Sequence, residues 1–202
     1  MLRTSLLAGL LLILIAVSES LFKLPSLRVD SLSLLKPISV GNLRQITNTS
    51  EDIINLNPSL SGDGRIIAFE TTGDLARVGG VQGFRAIRAD LSVSPSRFIQ
   101  VGASRAVAPA ISQDGSRIAF ASNEDLIGAN GDRNSEIFLV DGATVRQLTN
   151  TTPADISTRV RDGNFQPSIT DDGTIVAFSS NRDPIGLNPD LNFEIFTVDV
   201  NS

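Results

Sequence analysis

The chain has 202 residues, 41% of them hydrophobic, and a formal net charge of -5. That length supports one domain with its own core, and the mild acidity argues against nucleic acid, whose phosphates need clustered Lys and Arg. The absence of Cys, His, Tyr and Trp removes disulfides, thiol nucleophiles, a lipid-anchor cysteine, Ser-His-Asp and Cys-His arrangements and the commonest zinc ligand.

In chain order, residues 1–20 read MLRTSLLAGLLLILIAVSES. Arg3 starts a short basic lead, residues 6–17 are continuously apolar, and Ala16 and Ser18 are small residues at the positions a signal peptidase reads. This is the pattern of a Sec-type signal peptide. The apolar run is shorter than the roughly 20 residues that cross a bilayer. The expectation is a periplasmic or secreted protein with no membrane span after cleavage. Residues 21–40 form a linker, with Pro25 and Pro37 and no sustained period.

From residue 41 to 202 the sequence repeats itself. NPSLSGDGRIIAFETT, PAISQDGSRIAFASN and QPSITDDGTIVAFSSN recur with Asp63-Gly64, Asp114-Gly115 and Asp172-Gly173 in equivalent places. The spacing is near the roughly 40 to 50 residues of a four-stranded propeller blade. One strand precedes each turn, over 56–61, 107–112 and 165–170. One comes after it, over 65–70, 116–122 and 174–180. A third reads FRAIRAD, SEIFLVD and FEIFTVD; a fourth reads RFIQVG and VRQLTN. The blades therefore cover about 56–101, 107–149 and 165–200. No apolar pattern at helical spacing lasts three turns, so the chain is all-β, with blades of four antiparallel strands.

The third unit carries no fourth strand, while LRQITN at 43–48 matches VRQLTN and stands ahead of the first unit. The N-terminal segment is thus expected to be the outer strand of another blade. Two arrangements answer this pattern. Two copies complete a six-bladed ring, residues 43–48 of one finishing the third sheet of the other, or the chain is a truncated product.

The motifs carry different chemistry. Ser-x-Asp-Gly makes a tight turn, because Asp accepts nearby backbone N–H bonds and Gly tolerates positive φ. Ile118 and Phe120 alternate with Ala119, so large residues face one neighbouring blade and the small one faces the other. NGDRNSE and NPDLNFE place oxygen-bearing side chains at alternate positions: Asn130, Asp132, Asn134 and Glu136, then Asn188, Asp190, Asn192 and Glu194. Calcium takes six to eight oxygen ligands, and these eight residues are candidate metal ligands. Turn and edge solvation gives the same rhythm, and the Gly and closing Glu of a full calcium loop are out of register. No other cofactor is expected. The segment 151–164, with Arg159, Arg161 and Asp162, is the longest between blades and a natural place for a binding loop.

These phrases resemble the TolB-type WD-repeat-like β-propeller repeat. The resemblance rests on Pro109, Ser112, Asp114, Gly115, Ile118-Ala119-Phe120, Glu136-Ile137-Phe138, Asp141 and Arg146 to Thr149, and covers about 43–202. It implies a periplasmic or envelope-associated propeller that binds a protein or other ligand and is not an enzyme. Two alternatives stand beside it. One is a detached propeller cap of a prolyl oligopeptidase-like hydrolase, the chain itself having no G-x-S-x-G elbow. The other is a calcium-stabilised binding module.

Overall fold

The computed structural model describes residues 43–80, 82–153 and 163–202. By compactness the chain divides into Met1–Arg44 and Gln45–Ser202. The segments expected to be a signal peptide (1–20) and a linker (21–40), and most of the 151–164 segment, lie outside the described residues. All the strands belong to the second unit.

The described residues form eleven strands and no helix. Blade one holds β1 (Asn55–Leu60), β2 (Ile66–Thr71), β3 (Arg85–Asp90) and β4 (Arg97–Ala103). Blade two holds β5 (Ala110–Ile111), β6 (Arg117–Ser122), β7 (Glu136–Asp141) and β8 (Thr144–Gln147). Blade three holds β9 (Asn164–Ile169), β10 (Ile175–Ser180) and β11 (Glu194–Asp199). The sheets run β1-β2-β3-β4, β5-β6-β7-β8 and β9-β10-β11, each pair antiparallel. The expected strands are therefore present, with two changes. β5 keeps only two residues of the expected 107–112, because Ala106 and Ala108 sit at φ 59° and 66° and break the extended run ahead of Pro109. Residues 43–48 form no strand within the chain. A strand needs a partner edge. The equivalent residues 145–147 have β7 beside them, whereas no described neighbour ladders with 43–48.

The blades stack by one rule. Phe69↔Ile87, Phe120↔Phe138 and Phe178↔Phe196 are matching pairs between the second and third strands of each blade. They mark a bulky face on each blade, and the Ala positions between them mark a flat one. Ala68 and Ala86 of blade one lie in a buried cluster with Ile118, Phe120, Phe138 and Val140 of blade two. Ala119, Ala121, Ile137 and Leu139 on the other face of blade two cluster with Val176 and Phe178 of blade three. Each flat face thus receives the bulky face of the next blade. Gly102 belongs to this fit, since a Cβ there would stand 2.7 Å from the Phe120 ring.

The Asp-Gly turns are tied together as well. Gly62 N donates to Gln113 O (2.7 Å), and Gln113 N donates to Asp171 O (2.9 Å). Arg117 donates from Nε to Asp141 Oδ2 (2.9 Å) and from Nη1 to the Gly173 carbonyl of the next blade (3.0 Å). Inside each turn, the first residue's hydroxyl and the Asp carboxylate share the backbone donors. Ser112 Oγ donates to Asp114 Oδ1 (2.7 Å), which also accepts Ser116 N (3.0 Å) and Ser116 Oγ (2.8 Å). These bonds, the Ser112 hydroxyl foremost, hold the Asp114 carboxyl down to about 2.

Candidate functional site

The eight candidate metal ligands stand in different surroundings. In blade two, Asn130 N donates to Asp125 Oδ1 (2.9 Å). Its side-chain amide donates to Glu124 O (3.4 Å) and Asn134 O (3.1 Å). Blade three repeats this: Asn188 N donates to Asp183 Oδ1 (2.9 Å) and its amide donates to Arg182 O and Asn192 O, both at 3.0 Å. Both Asn residues therefore clamp their loops with N–H groups. Their nitrogens, not their oxygens, face the loop backbone. Asp132 and Asp190 point to solvent. Among the described residues no group of three or more Asp or Glu is placed to hold a metal ion.

Asn134 and Glu136 belong to a different construction, at the junction between blades two and three. Glu136 is fully buried at the start of β7. Its Oε1 accepts Thr151 N (2.7 Å) and Thr151 Oγ1 (2.8 Å). Its Oε2 accepts Asn164 Nδ2 (2.8 Å) and the Thr149 hydroxyl. Asn134 donates to the Thr151 carbonyl, and Thr149 Oγ1 accepts Ile137 N (2.8 Å). One carboxylate thus collects the strap 149–151, which leaves blade two, and the first residue of blade three. Burial pushes the Glu136 carboxyl up, against the opposing pull of the Thr149 and Thr151 donors.

The junction between blades one and two uses the same principle with a different strand. Arg85 stands where Glu136 does, and the carboxylate comes from Glu70 on β2, which is 1% exposed. Glu70 accepts the Ser104 hydroxyl, Asn57 Nδ2 (2.6 Å) and Ala108 N (3.2 Å). Ser104 comes after Gln100 at the interval by which Thr151 comes after Gln147.

Blade three has the equivalent residues without their partners. Glu194 stands in the register of Glu136 and Ile195 in that of Ile137. Ile137 is 0% exposed, whereas Ile195 is 73% exposed and Glu194 lies open to solvent. Phe193, next to them, is 59% exposed even though its ring meets Phe165 at 6.3 Å. The flat face of blade three exposes Ile195 and Ile175 among Ser179, Thr197 and Asp199, beside a strand edge with no partner among the described residues.

At the other end, Phe69 and Ile87 on the bulky face of blade one are already buried with Leu75, Leu91 and Phe98, and Ile67 is half-buried. Ile67, Phe69, Leu56 and Pro58 line a groove of about 200 Å³, with Ile46, Thr47 and Asn55 along it. A further depression, on the turn side, is lined by Asp63, Asp114, Asp171 and Asp172.

The Glu136 cluster was not foreseen from sequence. Its signals were present, a Glu ahead of Ile-Phe and a Thr-x-Thr after Gln-Leu or Gln-Ile. Nothing in a linear repeat says that these two phrases meet across a blade boundary.

No family model and no curated protein matches the chain. Among solved structures it is similar to TolB from Acinetobacter baumannii, with 17% identity, TM-score 0.35, and coverage of 74% of this chain and 42% of that one. It is similar to oligogalacturonate lyase from Vibrio parahaemolyticus, with 14% identity, TM-score 0.47, and coverage of 79% and 39%. It is also similar to the β-propeller domain of the Trilobed protease from Pyrococcus furiosus, with 15% identity, TM-score 0.41, and coverage of 73% and 43%. The chain spans about two-fifths of the length of each of these. Its own three sheets, stacked bulky face on flat face, are those of a partial β-propeller.

Proposed function

We propose that this chain is an exported, non-enzymatic propeller module that works by binding another protein through the open face and edge of blade three. The observation that carries this reading is the contrast at one repeat position, Ile137 at 0% exposure against Ile195 at 73%. Blades two and three place a large apolar residue there, where blade one has Ala86, and in blade two that residue lies wholly inside a junction. Exposed large aliphatic side chains beside an open strand edge form a surface that protein partners cover. Two features support the non-enzymatic part. The residue inventory offers no His or Cys, and the buried carboxylates of Glu70 and Glu136 are already engaged by hydrogen bonds that hold blades together. Export rests on the apolar run at 6–17 with its small-residue site.

The test is a photo-crosslinking amino acid placed at Ile195 in the full chain, in the compartment where the protein resides. A discrete protein adduct, absent when the group sits at exposed Val78 of blade one, is expected. Crosslinking to water and lipid alone would overturn the reading.

A further inference from the structure

We infer that the partner of blade three is a second copy of this chain, docked through residues 45–49 and the bulky face of its blade one, with Glu194 as the carboxylate that locks the junction. The inference rests on the protein-binding reading above and names its partner.

The existing junction between blades two and three has three parts: a strap, a receiving residue at the start of the next blade, and a carboxylate from the preceding β-strand. The N-terminal segment already holds the first two in the same arrangement. Gln147 Nε2 donates to Thr149 O at 2.8 Å in the strap; Gln45 Nε2 donates to Thr47 O at 2.7 Å. Asn164 Nδ2 donates to Thr151 Oγ1 at 2.9 Å; Asn55 Nδ2 donates to Thr49 Oγ1 at 3.0 Å. The segment 45–55 is therefore shaped as the strap and receiving residue of a junction. Among the described residues no carboxylate of blade one fills the third part. Glu194 is that third part, solvent-exposed on blade three.

The apolar surfaces match in the same way. In the existing junction Leu148, Val176 and Phe178 pack with Ile137 and Leu139. Their counterparts Ile46, Ile67 and Phe69 line the groove of about 200 Å³ on blade one. Ile195, the counterpart of Ile137, is the side chain left exposed on blade three. Superposing one junction on the other carries Ile195 of one copy into the groove of the second. It also sets Glu194 against Thr47, Thr49 and Asn55. Two such junctions, one at each end, close two copies into a ring related by a two-fold axis. A second copy fits better than an unrelated protein because strap, receiving residue and groove recur together, each in the register of its intramolecular counterpart.

The test is the solution mass of the full chain, by light scattering or sedimentation, for the native protein and for two variants. Glu194→Lys puts a cation opposite the strap donors. Thr47→Val removes one hydroxyl at constant shape. Both sites lie at the surface of a single copy, so each variant keeps its fold, which far-UV circular dichroism checks. The native protein is expected to be a dimer. Glu194→Lys is expected to weaken self-association by roughly 30-fold or more, and Thr47→Val by about tenfold. A native monomer, a heavier open oligomer, or a dimer indifferent to both variants would each overturn the inference. A native monomer that still gives a foreign protein adduct at Ile195 would sink the second copy alone and leave the binding reading standing. No adduct at all would sink both.

Discussion

Replacing Glu136 with Gln isolates the junction carboxylate, because size and shape are kept while the charge and one acceptor are lost. The carboxylate receives donors on both oxygens: Thr151 N and Oγ1 on one, Asn164 Nδ2 and the Thr149 hydroxyl on the other. Either hydroxyl can rotate and accept from an amide. Thr151 N cannot. A Gln NH2 turned toward it strands that donor inside a fully buried site; turned the other way, the NH2 meets Asn164, whose amide nitrogen also donates to Ser135 O and Thr151 Oγ1. A buried unsatisfied donor costs about 1–3 kcal/mol, and each remaining bond loses its charge assistance. Relief from burying a charge offsets part of this, since burial already pushes the carboxyl up. The net loss is about 1–3 kcal/mol, which lowers the melting temperature of a domain this size by roughly 3–10 °C. Thermal and urea melts of the two proteins measure it. The pH dependence is a second readout. The folded carboxyl titrates above its ordinary value of 4.5, so the folded state binds the extra proton between those two values. Stability therefore falls as pH rises from about 4.5 through the raised value, then levels. Glu136→Gln removes that limb and leaves the acid limb. There, Asp114, held down to about 2 from 3.8, contributes stability that is lost as pH falls toward 2. A Gln variant melting within about 2 °C of the native protein, with its pH profile unchanged, would refute the latch.

The same geometry gives two further expected outcomes. Gly163 lies at φ 130° where blade three meets blade two, and a Cβ there would stand 2.5 Å from Ser135 O; Gly163→Ala is expected to destabilise by about 2–4 kcal/mol in urea melts, and a neutral result would mean the two blades approach less closely. Asn130→Asp separates the loop clamp from the calcium idea: a clamp loses its N–H bonds to Glu124 O and Asn134 O and melts about 3–6 °C lower with or without calcium, whereas a calcium site would gain a ligand and melt higher in calcium than in chelator.

The blades were legible in the sequence because their information is local. A turn needs its Asp and Gly within a few residues, and a strand between two sheets needs Phe and Ala on opposite faces. Both patterns recur at Asp63-Gly64, Asp114-Gly115 and Asp172-Gly173 and at Phe69, Phe120 and Phe178. The Asn and Glu rhythm of the loops was legible as a pattern but not as a use. Alternating oxygens look alike whether they face a cation or donate through their amides. Only the folded chain turns Asn130 and Asn188 inward as N–H clamps and sets Glu136 beneath Thr149, Thr151 and Asn164. The clamps reach four positions along their own loops, but the Glu136 contacts join residues 13 to 28 positions apart, and the meeting of blades two and three completes them. The sequence alone established a β chain of three repeats and the likeness of 43–48 to a fourth strand. Tertiary structure decided that this segment joins no sheet among the described residues while Gln45, Thr49 and Asn55 already hold a strap's hydrogen bonds. Local propensity specifies a strand, but only a neighbouring edge can turn it into part of a sheet.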